Sequence, residues 1–241
     1  MIIIPARMSS TRFPNKVLAN INGLPMVIAT ATRVKNLDDV AIATDSQEVI
    51  AIAHDFGFKA IMTSSEHQSG TDRINEAALK LGLSEHEIII NVQADEPFIE
   101  ESVVKSVIER VQHSITAQET VMVTSCYKTI DASFVDDPNL VKVIMDANGY
   151  AIYFSRSRIP FNRDGVFENY FGHLGIYGFT QKSLEAFCAL PQAPLEMIEK
   201  LEQLRALYFG HKIAMVHVQS KSFGIDTKED LEKALQAFSL S

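Results

Sequence analysis

The feature that most constrains this chain is an alternation repeated four times over its first half. A short apolar run comes first, then a turn, then a stretch with helical spacing. Residues 2–5, 40–44, 58–63 and 88–92 read as strands, and 25–36, 46–56, 71–81 and 101–112 read as helices. Gly57 and Gly82 stand where two of those helices should stop. Strand–helix alternation implies right-handed crossovers and a mainly parallel sheet. The strands are near-continuous apolar runs, which fits a sheet covered on both faces.

The second half is less regular. Residues 121–127, 141–145, 150–155, 173–179 and 213–218 read as strands, with a hairpin turn at Ala147-Asn148-Gly149. Helices are expected over 181–190, 195–209 and 228–238, with Pro194 at a first helical position and Gly210 as a stop. In the 195–209 helix, Met197, Ile198, Leu201, Leu204 and Tyr208 would form a buried side. Glu196, Glu199, Glu202 and Gln203 would gather on a polar side, which alone reads as solvated. No repeat or long linker divides the chain. The expected fold is α/β: a Rossmann-like, mainly parallel central sheet flanked by helices, with a smaller mixed subregion in the second half. It is read as a single domain over 1–241, with a change of role near residue 115 separating 1–115 from 116–241.

The formal charge of −8 argues against nucleic-acid and membrane-surface partners, which favour a basic surplus. No apolar run is long enough to span a bilayer. Residues 1–7 lack the pattern of a secretion signal, so a cytoplasmic location is expected. Cys126 and Cys188 are isolated in apolar stretches, as buried thiols would be, and no close Cys/His cluster suggests zinc.

Residues 5–16 read PARMSSTRFPNK and follow the first strand. In open α/β sheets the ligand crevice lies beyond the carboxyl ends of strands. Arg7, Arg12 and Lys16 place three cations there, with Ser9, Ser10 and Thr11 between them. Cations, hydroxyls and backbone N–H groups suit a polyphosphate, although a solvated basic loop has the same composition. Neither GxxxxGK[ST] nor GxGxxG is present, and Gly172, Gly175 and Gly178 recur at a different spacing. Asp95 follows the fourth strand. Asp226 precedes the last helix, where Thr227 and Asp230 also fit a helix cap.

The first loop resembles the signature loop of the sugar-activating nucleotidyltransferases, specifically the CMP-Kdo synthetase (3-deoxy-manno-octulosonate cytidylyltransferase) family. Further segments match in order: Ala43-Thr44-Asp45, His67 to Arg73, Asn91 to Pro97, Tyr153 to Arg156, His173 to Phe179, Pro194 to Glu196, Leu201 to Arg205 and Gly224 to Leu231. Together they cover nearly the whole chain. Two departures stand out. The usual LPGK is Phe13-Pro14-Asn15-Lys16, and the usual glycine before the aspartate is Ala94. Asn tolerates left-handed backbone, so the turn at Asn15 is expected to survive.

The resemblance implies that CTP and Kdo are the substrates, Mg²⁺ the cofactor, and CMP-Kdo and pyrophosphate the products, on the way to lipopolysaccharide. Asp95 and Asp226 would be the metal ligands. Arg7, Lys16, Asp95 and Asp226 would carry catalysis, with Lys16 nearest the α-phosphate. Pro5, Ala6, Arg7, Ser9, Ser10, Arg12, Lys16, Ser69, Gly70, Thr71, Arg73 and Asp95 would bind the nucleotide. Gln93, Arg156, His173, Tyr177, Glu202 and Gln203 would hold the sugar acid. By the same resemblance, 1–115 mainly binds nucleotide, and 116–241 mainly binds sugar and forms a homodimer, through strands near residues 150–161. A related acidic sugar such as 8-amino-Kdo or a sialic acid, or a non-catalytic nucleotide-binding protein of the same fold, remain the alternatives.

Overall fold

The structure is a computed structural model that describes residues 1–9, 12–165 and 169–238. In chain order the strands are β1 (Ile2–Ala6), β2 (Asn20–Ile21), β3 (Leu24–Pro25), β4 (Val40–Thr44), β5 (Lys59–Met62), β6 (Ile88–Asn91), β7 (Val123–Ile130), β8 (Lys142–Met145), β9 (Ala151–Ser155), β10 (Tyr170–Thr180) and β11 (Ile213–His217). The helices are α1 (Met26–Val34), α2 (Gln47–Asp55), α3 (Gly70–Leu81), α4 (Glu101–Thr116), α5 (Gln181–Cys188), α6 (Pro194–Glu199), α7 (Leu204–Tyr208) and α8 (Lys228–Phe238).

The main sheet runs β11-β7-β10-β6-β1-β4-β5, with β8 on β10 and β9 on β8. β6, β1, β4 and β5 are all parallel, as the alternation requires, and β11 is parallel to β7. β10 is antiparallel to both β6 and β7 and joins the two parallel groups. Successive residues of β1 point to opposite faces. Ile2 and Ile4 belong to an apolar cluster shared with residues of α1, α2 and α4, whereas Ile3 belongs to one shared with residues of α3, α5 and α7. Both faces are therefore dry, which accounts for the unbroken apolar strands.

Gly178 in β10 shows how close the packing is. A Cβ there would lie 2.5 Å from Val111 of α4, so any side chain would force the helix away from the sheet. β10 also carries a bulge between Leu174 and Tyr177, which re-aims the side chains at its middle.

A smaller apolar cluster assembles the site. Phe13, Ile21, Met26, Phe98 and Ile225 pack together, with Ala234 of α8. These residues neighbour Arg12, Lys16, Asp95 and Asp226 in sequence, so their burial draws three distant segments to one place. Phe98 stacks on Phe238 with ring centroids 4.5 Å apart. Burying one such side chain contributes roughly 1.5–3 kcal/mol.

One expected element is different. The helix expected over 195–209 is two short helices, α6 and α7, broken at Lys200, which has φ 54°. Its faces are also mixed. Ile198 is 77% exposed, and Met197 and Tyr208 are exposed, although Leu201 and Leu204 are buried as expected. Glu196 and Gln203 are buried instead of solvated. The reason is partners: Glu196 accepts two hydrogen bonds from Arg205, at 2.6 and 2.9 Å, and Glu199 accepts from Ser155 and from the Arg156 backbone. Paired charges can be buried where lone ones cannot.

Candidate active site

The carboxyl ends of β1 and β6 open onto a cavity of about 280 Å³. Pro5, Arg7, Ser9, Arg12 and Lys16 line it from the first loop, Ser69, Gly70 and Arg73 from the start of α3, and Gln93, Asp95 and Asp226 from the other two segments. Of the residues assigned to the nucleotide, Ala6 and Thr71 lie just behind this lining, and Ser10 lies outside the described residues. His67, Gln68, Val17 and Ala94 also line the cavity and had no assigned role. His67 and Gln68 sit in the same matched segment as Ser69, which was the available signal. The His67 ring bonds Glu76 of α3, which fixes its aim.

The local backbone explains the loop. Asn15 takes the left-handed conformation (φ 54°, ψ 29°), so the turn expected there forms with asparagine. A short 3₁₀ turn then begins at Lys16. Ala94 is buried and is not among the residues with positive φ, so its methyl group fits. A Cβ at Gly70 would lie 3.1 Å from the Pro5 ring, so a larger residue there would have to push that ring back by a few tenths of an ångström. Ser69 caps α3, accepting from the Asp72 N–H at 3.1 Å, while lining the cavity.

Charge is concentrated where the three segments meet. The Lys16 ammonium donates to Asp95 Oδ2 at 2.6 Å and to Asp226 Oδ1 at 3.0 Å. Arg12 pairs with the other oxygen of Asp226 at 3.0 Å. Burial would lower the Lys16 pKa, but the two carboxylates outweigh it and hold the pKa above the usual lysine value. Burial would raise Asp226, but Lys16 and Arg12 hold it below the usual carboxylate range. Thr227 and Asp230 exchange backbone hydrogen bonds at 2.9 and 3.1 Å in a capping box. Asp226 thus faces the cavity from a capped helix start, and the two readings of this segment coexist.

Two carboxylate oxygens converging on one ammonium nitrogen form a site for a single cation. The donor set is hard oxygen. That fits Mg²⁺, which takes one or two carboxylates and completes its shell with water and phosphate oxygens.

Arg73 is a buried part of the lining. It donates to Thr63 Oγ1 at 2.6 Å and to Asp45 at 2.9 Å, which gives the Ala43-Thr44-Asp45 segment its function.

The residues assigned to the sugar divide into two groups. Gln93 lines the cavity and donates to the Gly175 carbonyl at 3.3 Å. Behind it lies a buried chain of polar groups. The Tyr177 hydroxyl donates to Gln203 Oε1 at 3.1 Å, which turns the Gln203 amide nitrogen toward His173 Nδ1, 3.4 Å away. The Ser125 hydroxyl donates to the Ile176 carbonyl at 2.8 Å, so His173 Nε2, 2.8 Å from that hydroxyl, carries the proton. Burial pushes His173 down to about 3, which keeps it neutral and unsuited to proton transfer near pH 7. Glu202 accepts from Thr71 at 2.6 Å, and burial pushes its carboxyl up. Arg156 is placed elsewhere. Its guanidinium donates to the carbonyls of Glu199, Pro138 and Lys200, and it does not line the cavity.

A cation-lined crevice at the ends of parallel strands, holding a pair of acids, defines a nucleotide-handling α/β protein. A family model described as cytidylyltransferase matches residues 1–213. A 3-deoxy-manno-octulosonate cytidylyltransferase of Nitratiruptor sp. is 58% identical over 99% of both chains. One from Wolinella succinogenes is 52% identical, again over 99% of each. A solved structure of CMP:2-keto-3-deoxy-manno-octonic acid synthetase complexed with CTP superposes with a TM-score of 0.88 at 36% identity, covering 99% of this chain and 98% of that one. The chain belongs to the 3-deoxy-manno-octulosonate branch of the cytidylyltransferase family. A cytidylyltransferase from Leptospira borgpetersenii shares the fold at 17% identity and a TM-score of 0.64.

Proposed function

We propose that the chain activates Kdo: CTP + 3-deoxy-D-manno-octulosonate → CMP-Kdo + pyrophosphate. The observation that carries this reading is the meeting of Asp95 and Asp226 on Lys16 within a cavity lined by Arg7 and Arg12. The anomeric hydroxyl attacks the α-phosphorus in line, a new P–O bond forms, and the α–β phosphoanhydride breaks as pyrophosphate leaves. No enzyme nucleophile is required, so catalysis rests on positioning and charge neutralisation. Lys16 and Arg12 stabilise the phosphates, with Arg7 on the cavity wall beside them. The α3 start, with Ser69, Gly70 and the braced Arg73, presents donors to the base and triphosphate. Asp95 and Asp226 would hold Mg²⁺, which supplies charge neutralisation at the phosphates and acidifies the attacking hydroxyl.

Gln93 and the Tyr177–Gln203–His173 chain supply neutral donors and acceptors suited to sugar hydroxyls. Because its guanidinium is engaged with backbone carbonyls, Arg156 braces the α6–α7 break in this reading rather than pairing with the sugar carboxylate. The reaction would run in the cytoplasm of a Gram-negative cell, in a homodimer, and would feed lipopolysaccharide assembly. Pyrophosphate release from CTP is the test. It should require both Kdo and Mg²⁺, and release without Kdo, or equal release with a sialic acid, would reject the reading.

A further inference from the structure

Asp95 and Asp226 are useful as a pair only if two segments far apart in sequence keep a constant spacing. The structure holds those segments together with groups that do not line the cavity. The Ile225 N–H donates to the Asp95 carbonyl at 2.9 Å, which joins the residue before one acid to the other acid itself. Glu96, next to Asp95, is 8% exposed, and its Oε2 accepts from the Ser222 hydroxyl at 2.6 Å. Ser222 is fully buried, and a Cβ at Gly224 would lie 3.5 Å from the other oxygen of Glu96.

Two further residues secure the same stretch. The Lys128 ammonium, from β7, donates to the Ser222 carbonyl at 2.8 Å and to the Ser220 carbonyl at 3.4 Å. Glu100 accepts from the Ser220 hydroxyl at 2.7 Å and from the Lys221 N–H at 2.8 Å. Glu96, Glu100, Lys128 and Ser222 are all absent from the cavity wall. The loop that presents Asp226 has no regular secondary structure between β11 and α8. Its geometry is therefore set by these bonds.

We propose that Glu96 is a positioning residue that sets the distance between Asp95 and Asp226 by gripping the Asp226 loop through Ser222, with Lys128 and Glu100 completing the clamp. This rests on the reading of the two acids as a cation site. The clamp acts on the approach of the two carboxylates and leaves the nucleotide-lining loop and α3 untouched. Its loss should therefore weaken the metal step more than the binding of CTP.

The test compares Ser222→Ala, Glu96→Ala and Glu96→Gln in the full chain. Ser222→Ala and Glu96→Ala should each lower kcat at least tenfold and raise the Mg²⁺ concentration for half-maximal rate several-fold, with KM for CTP changed less than threefold. Glu96→Gln keeps an acceptor oxygen for Ser222 and should recover most of the loss. The double alanine variant should be no worse than either single one, since both remove the same bond. Independently of turnover, Mn²⁺ binding in the presence of CTP should weaken several-fold in the alanine variants, and amide exchange over 219–227 should accelerate. Wild-type protein that fails to bind Mn²⁺ with CTP would sink the underlying reading instead. If wild type binds and the alanine variants bind Mn²⁺ equally well with unchanged kcat, the clamp is overturned. It is also overturned if KM for CTP and kcat deteriorate together in step with a fall in Tm.

Discussion

The cation-lined cavity and the polar chain around Tyr177 lie on adjoining parts of one sheet but are built on opposite principles. In the cavity the key groups are charged, come from segments far apart in sequence, and neutralise one another by direct pairing. In the chain from Tyr177 to Ser125 the groups are neutral, buried, and paired with one another or with backbone carbonyls. A charged open site responds to any ion of the right sign. A buried neutral network instead penalises any ligand that leaves a donor or acceptor unmatched. The first arrangement suits a triphosphate and the second suits selection among sugars.

The sharpest way to break this comparison is to remove charge without changing shape. Asp226→Asn should cut turnover by about 10³-fold or more, equivalent to roughly 4 kcal/mol in the barrier, while Tm moves by only a few degrees. Pyrophosphate release and thermal unfolding on one preparation would check both. A loss under tenfold would mean that charge at this position is not what the cavity is for.

A smaller effect should come from the neutral side. Tyr177→Phe deletes the hydroxyl that donates to Gln203 and leaves a buried acceptor unpaired. KM for Kdo should rise about tenfold, roughly 1.4 kcal/mol, with KM for CTP unchanged. A parallel rise in both constants would show that the two regions are not separable.

The last effect is on stability against pH and leaves turnover at pH 7 unchanged. His173 is neutral in the fold and titrates near 3, against an ordinary value of 6.5. The unfolded chain therefore binds a proton at pH 5 that the folded chain does not. Stability contributed by this group is full above pH 6.5 and falls as pH drops below it, by at most about 1.4 kcal/mol per pH unit. Urea unfolding at pH 7, 6 and 5 should show that slope in wild type and a shallower one in His173→Gln. Equal slopes would place the acid sensitivity elsewhere.

How much of this was legible in the sequence depended on whether the cause was local. The parallel core follows from periodicity, and each first-half strand and helix lies within a few residues of its expected place. Asn15 and the Thr227–Asp230 cap are local chemistry and follow from residue type. The break at Lys200 had no such signal, because lysine rarely adopts positive φ and no glycine marks the spot. The burial of Glu196 depended on Arg205 being folded back onto it across that break; on one continuous helix two residues nine apart would face opposite sides. The hydrogen bonds of Arg156 to the Glu199 and Lys200 carbonyls depend on the chain turning at Lys200, so they could not be read without knowing that the break exists.

The position of Lys16 between two acids has a further consequence. Lys16, Arg12, Asp95 and Asp226 together carry no net charge. On the proposed reading the site works as an ion exchanger. Asp95 and Asp226 would hold the divalent cation in place of Lys16 and Arg12, whose ammonium and guanidinium would then be available to phosphate oxygens. Attractive pairs are swapped rather than created, so affinity for CTP with Mg²⁺ should depend on ionic strength far less than a bare basic pocket would. An acidic protein can thus bind an anion without keeping an uncompensated positive patch between turnovers.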